Sequence, residues 1–434
     1  MAEQRILKFM NDAGSEKLSF YRNRMNGYAG LAKALAMESK DIITMVKESG
    51  LRGRGGAGFP TGDKWGFIPN DGQEHFVLCN ADEGEPGTFK DREILSHNPH
   101  AVIEGMIIAA RAVGAKRGYI YIRGEFEKER AVLEGAVAEA YDAKLLGKNI
   151  SGSGFDFDLF VYRGAGAYVC GEETSLISSL AGLRGHPLLR PPFPAVKGFY
   201  GKPTVVNNVE TYANVGSILN YGTKWFRSSG TDKAPGTKIF CVSGHVNKPG
   251  VYELPLGTPF TDLLAECGGV LDGRELKCVI PGGSSTPMLL PNEVEDMTLD
   301  YESIASKGSM LGSGAVIVIA HETCMVRTIW RLAKFYEHES CGFCTPCREG
   351  LPWLSKIMES IILGKANGNE MELMASIIKG IEGNTVCALA DAGVTPIKSG
   401  LKKFADEFTY AIENKRLKYQ FWTEQTAGAQ TVRS

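Results

Sequence analysis

The chain has 434 residues, and its 48 lysines and arginines nearly balance its 50 aspartates and glutamates. This balance argues against the basic surface on which nucleic acids and anionic membranes bind, so small molecules or other proteins are the expected partners. The length predicts two to four domains. No secretory signal is predicted at the amino terminus, and the longest apolar runs, such as residues 315–320, are too short to cross a bilayer.

The first 235 residues predict an α/β domain behind a helical segment. Residues 1–50 are predicted to be helical, with Ile42, Ile43 and Val46 on one face and Gly50 as the stop. After a glycine-rich loop, strands are predicted at 76–80, 119–123 and 157–163, and helices at 101–113 and 127–142. This alternation is typical of a largely parallel sheet that is covered on both faces.

The pattern of the chain changes after a proline-rich stretch at 186–203 and a linker at 228–236. Short strands at 238–243, 251–254 and 316–319, with one helix near 260–266, predict a small α+β module, and helical periodicity dominates from 328 onward. The expected organisation is a helical segment at 1–50, an α/β domain at 51–235, the module at 236–322, a helical bundle at 323–415 and a disordered tail at 416–434.

The ten cysteines indicate reduced thiols and metal ligands, and hence a cytoplasmic protein that can dock on a larger assembly. Cys341, Cys344 and Cys347 stand at i, i+3 and i+6, and Cys387 supplies a fourth thiolate. Zinc ribbons use two separated C-x-x-C pairs, whereas a triple with one distant cysteine suits a four-iron four-sulfur cluster better. Zinc and ordinary buried cysteines stay open as alternatives on the spacing alone.

The sequence GRGGAG at 53–58 fits the G-x-G-x-x-G pattern, whose glycines let backbone N–H groups approach a pyrophosphate. The context differs from a Rossmann fingerprint, because a helix precedes the loop, and from a P-loop, because Asp63 follows Gly62. Cations and aromatic rings on this stretch would suit a phosphate joined to flat rings: Arg52, Arg54, Lys64, Phe59, Trp65 and Phe67. The alternative is a surface loop without a ligand.

Three carboxylates, Asp82, Glu83 and Glu85, follow the first predicted strand directly. Carboxylates at the end of a strand accept hydrogen bonds from ribose or ribityl hydroxyls, and they repel a 2'-phosphate, which would favour NAD over NADP. A solvated turn explains these residues equally well.

The loop at 164–173 repeats this pattern with small residues, one aromatic ring, and Glu172 and Glu173 at the start of a helix. Acids at a helix N-terminus are also ordinary partners of the helix dipole. Asn207 and Asn208 add amides that could bind a planar heterocycle. The seven histidines are scattered without metal-ligand spacing, which argues against a hydrolase.

A cluster and a nicotinamide need an intermediary, because a cluster exchanges one electron whereas a nicotinamide delivers two electrons as a hydride. A flavin exchanges electrons in both ways. Two ligand-like loops and a cluster on one chain fit that arrangement.

Five motifs carry a resemblance over about residues 20–415: LRGRGGAGFPTG at 51–62, CNADEGEPGTFKD at 79–91, RGAGAYVCGEE at 163–173, GKPTVVNNVET at 201–211 and ESCGFCTPCRE at 339–349. In this order they resemble the NADH-binding flavoprotein subunit of NADH:quinone oxidoreductase, respiratory complex I. Arg190 stands where that family usually has lysine, and Phe343 replaces a more usual polar residue.

The resemblance implies a modified Rossmann-like FMN domain, a ubiquitin-like β-grasp module of the soluble-ligand-binding type, and a helical bundle that holds a four-iron four-sulfur cluster. It implies that FMN lies against Gly53, Gly55, Gly56, Gly58, Lys64, Asn80, Asp82, Glu83, Tyr168, Gly171, Glu172, Val206, Asn207 and Asn208. NADH would stack near Phe59, Phe67 and Phe193, with Glu85 and Glu173 as the acids of the reaction site. The cluster would be held by Cys341, Cys344, Cys347 and Cys387.

The resemblance further implies that a hydride passes from NADH to FMN and that electrons leave singly through the cluster towards quinone in a respiratory translocase. The implied partners are a thioredoxin-like two-iron cluster subunit and a large multi-cluster subunit. The implied location is the cytoplasmic side of the inner membrane, which the chain reaches only through the complex. Two rivals are the diaphorase subunit of an NAD-linked hydrogenase or formate dehydrogenase, and a non-catalytic iron-sulfur scaffold.

Overall fold

The computed structural model describes residues 4–419. The predicted tail lies outside the described residues from 420 onward, but its first residues pack: Leu417 is buried in the helical core, and Lys418 pairs with Asp406. Within the described part of the chain, no helix is long and apolar enough to cross a membrane.

Four parallel strands form the first sheet in the order β3-β2-β1-β4, namely β1 Phe76–Ala81, β2 Arg117–Ile122, β3 Asp158–Arg163 and β4 Thr204–Asn208. The helices of this part are α1 Leu18–Met25, α2 Ala29–Leu35, α3 Ser39–Ser49, α4 Thr61–Gly66, α5 Lys90–His97, α6 Pro99–Val113, α7 Glu127–Asp142, α8 Glu173–Leu180, α9 Val209–Tyr221 and α10 Thr223–Arg227. The predicted parallel sheet is confirmed. The prediction of a wholly helical N-terminal segment is wrong for the described residues before 18, where the first helix begins, and β4, α4, α5, α9 and α10 were not predicted.

Alternate residues of β1 enter two different cores, as the two-residue period of a strand requires. Val77 and Cys79 pack with residues of α6 and α9, whereas Phe76 and Leu78 pack with α8 and with the C-terminal part of the chain. Both faces of the sheet are therefore covered. The predicted end of α3 is confirmed too, since Gly50 caps it with a left-handed φ of 71°.

The second sheet is mixed and has the order β6-β5-β8-β7, with β5 Thr237–Gly244, β6 Gly250–Pro255, β7 Leu276–Ile280 and β8 Ala315–Ala320. β5 is parallel to β8, and the outer pairs are antiparallel. Its helices are α11 Phe260–Glu266, α12 Pro291–Val294 and α13 Tyr301–Ser306, whereas the sequence predicts only the first. The stretch predicted as a linker is packed, because Ala234 is fully buried and the Pro235 carbonyl accepts a hydrogen bond from Arg54 at 2.9 Å.

Five helices form the C-terminal bundle: α14 Met325–Glu339, α15 Thr345–Ile362, α16 Glu370–Ile381, α17 Leu389–Lys403 and α18 Ala405–Asn414. The cysteine triple lies at the junction of α14 and α15, as predicted, with Cys341 and Cys344 between the helices and Cys347 in the first turn of α15.

His100 makes a pH-sensitive contact between α6 and the N-terminal segment. Its Nδ1 lies 2.9 Å from the Tyr28 hydroxyl, and burial lowers its pKa from 6.5 to about 4. Between pH 6.5 and pH 4, the unfolded chain binds a proton at His100 that the folded chain does not bind. The free energy of unfolding therefore falls by up to about 3 kcal/mol as the pH is lowered through this window.

We therefore expect His100→Gln to lose less thermal stability than the wild type as the pH falls through this window. Thermal unfolding of both proteins at pH 7 and pH 5 measures the difference. Parallel curves of melting temperature against pH would contradict the role of His100.

Candidate functional site

One cleft of about 510 Å³ lies where the first sheet, loops of the second sheet and the helical bundle meet. It opens at the carboxyl ends of β1 and β4, the position at which α/β sheets bind ligands. The predicted site residues that line it are Gly55, Gly56, Asn80, Asp82, Glu83, Glu85, Tyr168, Gly171, Glu172, Asn208 and Cys387. The remaining ones lie outside this lining: Gly53, Gly58, Phe59, Lys64, Phe67, Glu173, Phe193, Val206, Asn207, Cys341, Cys344 and Cys347.

The glycine loop folds back on itself between α3 and α4, and its tip forms one wall of the cleft. The Gly53 N–H donates to the Phe59 carbonyl at 2.8 Å, which closes the loop. Gly56 has a φ of +145° and open space where a side chain would project, and a Cβ on Gly55 would come within 2.9 Å of Asn208. The bare backbone of these two glycines lets a phosphate or ring approach closely.

Two residues that the sequence placed against a ligand are buried beneath the loop instead. Trp65 is fully buried, and its Nε1 donates to the Asn207 Oδ1 at 2.9 Å. Arg54 is also fully buried, and its Nη2 donates to the Pro235 carbonyl. The prediction for Trp65 and Arg54 is therefore wrong. Both side chains are buried beneath the loop, where Trp65 binds Asn207 and Arg54 binds Pro235.

The acidic turn after β1 is buried, which excludes a solvated turn for Asp82 and Glu83. Burial raises the pKa of each carboxyl group to about 7, and the Asp91 charge adds to the effect on Glu83. Glu83 accepts hydrogen bonds from the N–H groups of Lys90 and Asp91 at 3.0 and 2.9 Å and so caps α5. Asp82 lines the cleft, and its buried Oδ2 has no hydrogen-bond partner among the described residues. A ligand hydroxyl would satisfy it.

Glu85 connects the first sheet to a loop of the second. Its Oε2 accepts a hydrogen bond from the Tyr168 hydroxyl at 2.5 Å. Its Oε1 accepts from the Ser285 N–H at 2.8 Å and from the Ser284 hydroxyl at 3.2 Å. Burial and the Glu85 charge raise the pKa of Tyr168, so the phenol stays a donor.

Glu172 and Glu173 have separate roles at the start of α8. Glu172 accepts from the N–H groups of Thr174 and Ser175 at 2.9 and 3.0 Å, which is the helix-end role that the alternative interpretation expected. Glu173 pairs with Lys64 at 2.8 Å and with Arg190 at 3.3 Å.

Three predicted stacking rings are exposed: Phe59 by 47%, Phe67 by 58% and Phe193 by 55%. The ring centroids of Phe59 and Phe67 are 6.0 Å apart, and the Arg190 guanidinium lies 5.8 Å from the Phe193 ring. The exposed rings are available to a planar ligand, and Phe193 has a cation beside it.

The two asparagines at the end of β4 face different neighbours. Asn207 is bound by Trp65 below the loop, whereas Asn208 lines the cleft. Val206 is buried in the core shared with the bundle and does not line the cleft.

The four predicted cysteine ligands gather at one end of the bundle. Cys341 and Cys344 lie in the loop between α14 and α15, Cys347 is in the first turn of α15, and Cys387 precedes α17. The Cys347 thiol interacts electrostatically with the other three. The distant Cys387 therefore joins the triple, and it also lines the cleft.

This donor set of four thiols fits a four-iron cluster. Among the described residues, no three His, Cys, Asp or Glu side chains are close enough together to hold a single metal ion. A cubane cluster does not need such a close group, because each thiolate binds its own iron. Burial raises the pKa of Cys347 to about 12 and of Cys387 to about 11. Metal binding would displace these protons.

Sequence reasoning missed part of the cleft wall. The missed residues come from the second sheet and the bundle and include Gly282, Ser285, Met310, Gly312, Ser313, Leu389, Asp391, Ala392 and Thr395. They carry no motif of their own, and only the packing of the three parts brings them together.

Three family models match the chain. The Nuo51 FMN-binding domain matches residues 46–217, the SLBB domain matches 239–289, and the NADH-ubiquinone oxidoreductase-F iron-sulfur binding region matches 327–411. These regions correspond to the first sheet, to strands β5 to β7 of the second sheet and to the cysteine-bearing bundle, whereas β8 lies beyond the SLBB match.

Full-length relatives and a solved structure agree with these matches. The F 2 subunit of NADH-quinone oxidoreductase from Rhizobium meliloti (strain 1021) is 49% identical over 96% of this chain and 99% of its own. The F subunit of the same enzyme from Streptomyces coelicolor (strain ATCC BAA-471 / A3(2) / M145) is 52% identical over 92% of this chain and 89% of its own. A chain of an NAD+-reducing [NiFe]-hydrogenase in the H2-reduced state has a TM-score of 0.82 at 35% identity, covering 94% of this chain and 67% of that one.

The fold and the site thus define an iron-sulfur flavoprotein, whose cofactors are FMN and a four-iron four-sulfur cluster. Within that class, the identity over nearly its whole length shows that the chain belongs to the family of NADH-quinone oxidoreductase F subunits.

Proposed function

We propose that the chain oxidises NADH at FMN and passes single electrons through its cluster towards quinone, as a subunit of a respiratory complex. The observation that carries this proposal is the position of Cys387, which lines the same cleft as Gly55, Gly56 and Asn208. The flavin site and the cluster site therefore share a wall. When bound, FMN takes up two electrons from NADH, and the cluster carries them away one at a time.

The residues of the chain bind and orient the two nucleotides. The bare backbone of Gly55 and Gly56 accommodates the flavin, and Asp82 Oδ2 offers an unpaired acceptor for its hydroxyls. Phe59, Phe67 and Phe193 present exposed rings for NADH. The other residues predicted to contact FMN either offer backbone groups to the flavin or hold Gly55, Gly56 and Asp82 in place: Gly53, Gly58, Lys64, Asn80, Glu83, Tyr168, Gly171, Glu172, Val206, Asn207 and Asn208.

Glu85 and Glu173 are the acids of this reaction site, and hydride transfer needs no proton from them. Glu173 pairs with Lys64 and with Arg190, and the Arg190 guanidinium lies beside the exposed Phe193 ring. The cluster ligands are Cys341, Cys344, Cys347 and Cys387, of which Cys347 interacts with the other three.

The second sheet is a β-grasp module in this proposal. The order β6-β5-β8-β7, with parallel central strands β5 and β8, supports it. The domain boundaries follow the predicted division into 1–50, 51–235, 236–322, 323–415 and a tail.

The expected partners are the thioredoxin-like two-iron cluster subunit and the large multi-cluster subunit, on the cytoplasmic side of the inner membrane. The relatives from NADH-quinone oxidoreductase are about half identical to this chain, whereas the hydrogenase chain is 35% identical. This difference favours the respiratory complex over a hydrogenase diaphorase. Identification of the subunits that co-purify with the chain separates the two.

Anaerobic addition of NADH to the purified protein tests the proposed reaction. We expect the flavin absorbance to bleach and the EPR signal of a reduced cluster to appear. A bound flavin that NADH does not bleach would contradict the proposal and favour a non-catalytic scaffold.

Glu85→Gln is expected to weaken the preference for NADH over NADPH by about tenfold, since the neutral amide no longer repels a 2'-phosphate. The ratio of kcat/KM for the two nucleotides measures the preference. Glu134→Gln, on the exposed face of α7, is the matched control and should leave the ratio unchanged. Unchanged kinetics of Glu85→Gln with both nucleotides would count against this role.

A further inference from the structure

A buried ionic network joins the second sheet to the cleft. Lys238 on β5 is 1% exposed and is not part of the cleft lining. Its Nζ donates to the Glu210 Oε2 at 2.9 Å and to the Arg54 carbonyl in the glycine loop at 3.3 Å. Glu210 is fully buried and also pairs with Lys90 at 3.1 Å.

Lys90 extends this network to the cleft wall. Its Nζ donates to the Asp91 Oδ1 at 2.6 Å and to the Asn208 Oδ1 at 3.0 Å. The Asn208 Nδ2 donates in turn to the Asp91 Oδ2 at 2.6 Å. Both ends of the Asn208 amide are thus occupied, which fixes its orientation.

The charges make this network sensitive to the loss of one member. Lys90 is the one cation among the described residues that line the cleft, where the acids are Asp82, Glu83, Glu85, Asp91, Glu172 and Asp391. Lys90 and Lys238 balance Asp91 and Glu210. Removing Lys238 would leave Lys90 to pair with two buried carboxylates, those of Asp91 and Glu210. The excess buried negative charge is costly enough to move the groups around it.

We propose that Lys238 is a positioning residue of the flavin site, acting from the second sheet. It holds the glycine loop by the Arg54 carbonyl, and it orients Asn208 through Glu210 and Lys90. The module that matches the SLBB family is thereby part of the flavin-binding apparatus. This inference rests on the proposed function, since it assigns FMN to the cleft.

The test is the dissociation constant of FMN, measured by quenching of flavin fluorescence on flavin-depleted protein that keeps its cluster. Lys238→Met is expected to raise this constant at least about tenfold and to shift the midpoint potential of the rebound flavin. Lys238→Gln keeps a hydrogen-bond donor but loses the charge, and it is measured alongside. We expect the same rise in the dissociation constant and the same shift in potential for this variant, which decides the test if Lys238→Met does not fold.

The matched control is Lys277→Met, which removes another buried lysine of the same sheet. Lys277 pairs with Glu407 in the bundle and does not line the cleft. We expect this variant to lose thermal stability while its FMN dissociation constant stays that of the wild type.

Wild-type affinity and potential in the folded Lys238 variants would overturn the inference. An equal rise in the FMN dissociation constant for Lys277→Met would also overturn it, because the effect would then follow stability alone. Failure of the wild-type chain to bind FMN would instead refute the proposed function.

Discussion

A Cys387→Ser variant is expected to reduce ferricyanide with NADH within about twofold of the wild-type rate while losing the EPR signal of the four-iron cluster. Ferricyanide draws electrons from the flavin, so this assay does not need the cluster. The cluster does need Cys387, because the other three thiolates leave one iron without a protein ligand. Bound iron and the EPR spectrum of the reduced protein measure its loss.

Cys324→Ser is the matched control for this experiment. Cys324 is buried just before α14 and does not line the cleft, and its thiol lies near the charges of Glu407 and Arg327. This variant should retain both the cluster and the ferricyanide activity. An intact cluster spectrum in Cys387→Ser would refute the ligand assignment.

A Gly56→Val variant is expected to bind FMN about tenfold more weakly than the wild type, which corresponds to about 1.4 kcal/mol of binding free energy, and therefore to lose FMN during gel filtration. Gly56 has a φ of +145°, which L-residues rarely adopt, and its side chain would project into open space at the cleft wall. The valine would therefore both strain the loop and occupy ligand space. The ratio of FMN to protein after gel filtration measures the effect.

Gly72→Val controls for backbone strain in this experiment. Gly72 also has a positive φ, of +73°, and open space around it, but it does not line the cleft. We expect Gly72→Val to cost stability without releasing FMN. If both variants retain FMN equally, the loop does not contact the flavin.

The regular elements of the fold could be predicted where periodicity was strong. The helix predicted at 127–142 coincides with α7, and the strand at 76–80 differs from β1 by one residue. β4 escaped prediction because its apolar run is only Val205 and Val206, with polar Thr204, Asn207 and Asn208 around it. Two apolar residues between polar ones do not identify a strand by themselves, and β4 becomes recognisable only through its pairing with β1.

The candidate site could be predicted only as far as its motifs reach. Asp82 and Glu83 follow a strand closely enough for their place in the cleft to be inferred, but Trp65 and Arg54 were misplaced because residue type does not reveal which way a side chain packs. Ser285 lies against Glu85 at a separation of 200 residues. Contacts of this kind arise from tertiary packing, which leaves no local signal.

The cofactor content of the isolated, anaerobically purified chain tests the proposed function most directly, because that function requires both a flavin in the cleft and a cluster at Cys387 in the cleft wall. Flavin fluorescence after acid release, iron, zinc and acid-labile sulfide are determined on one sample. We expect about one FMN, four irons and four sulfides per chain. A chain that contains zinc in place of iron, or that lacks FMN after reconstitution, would contradict this function.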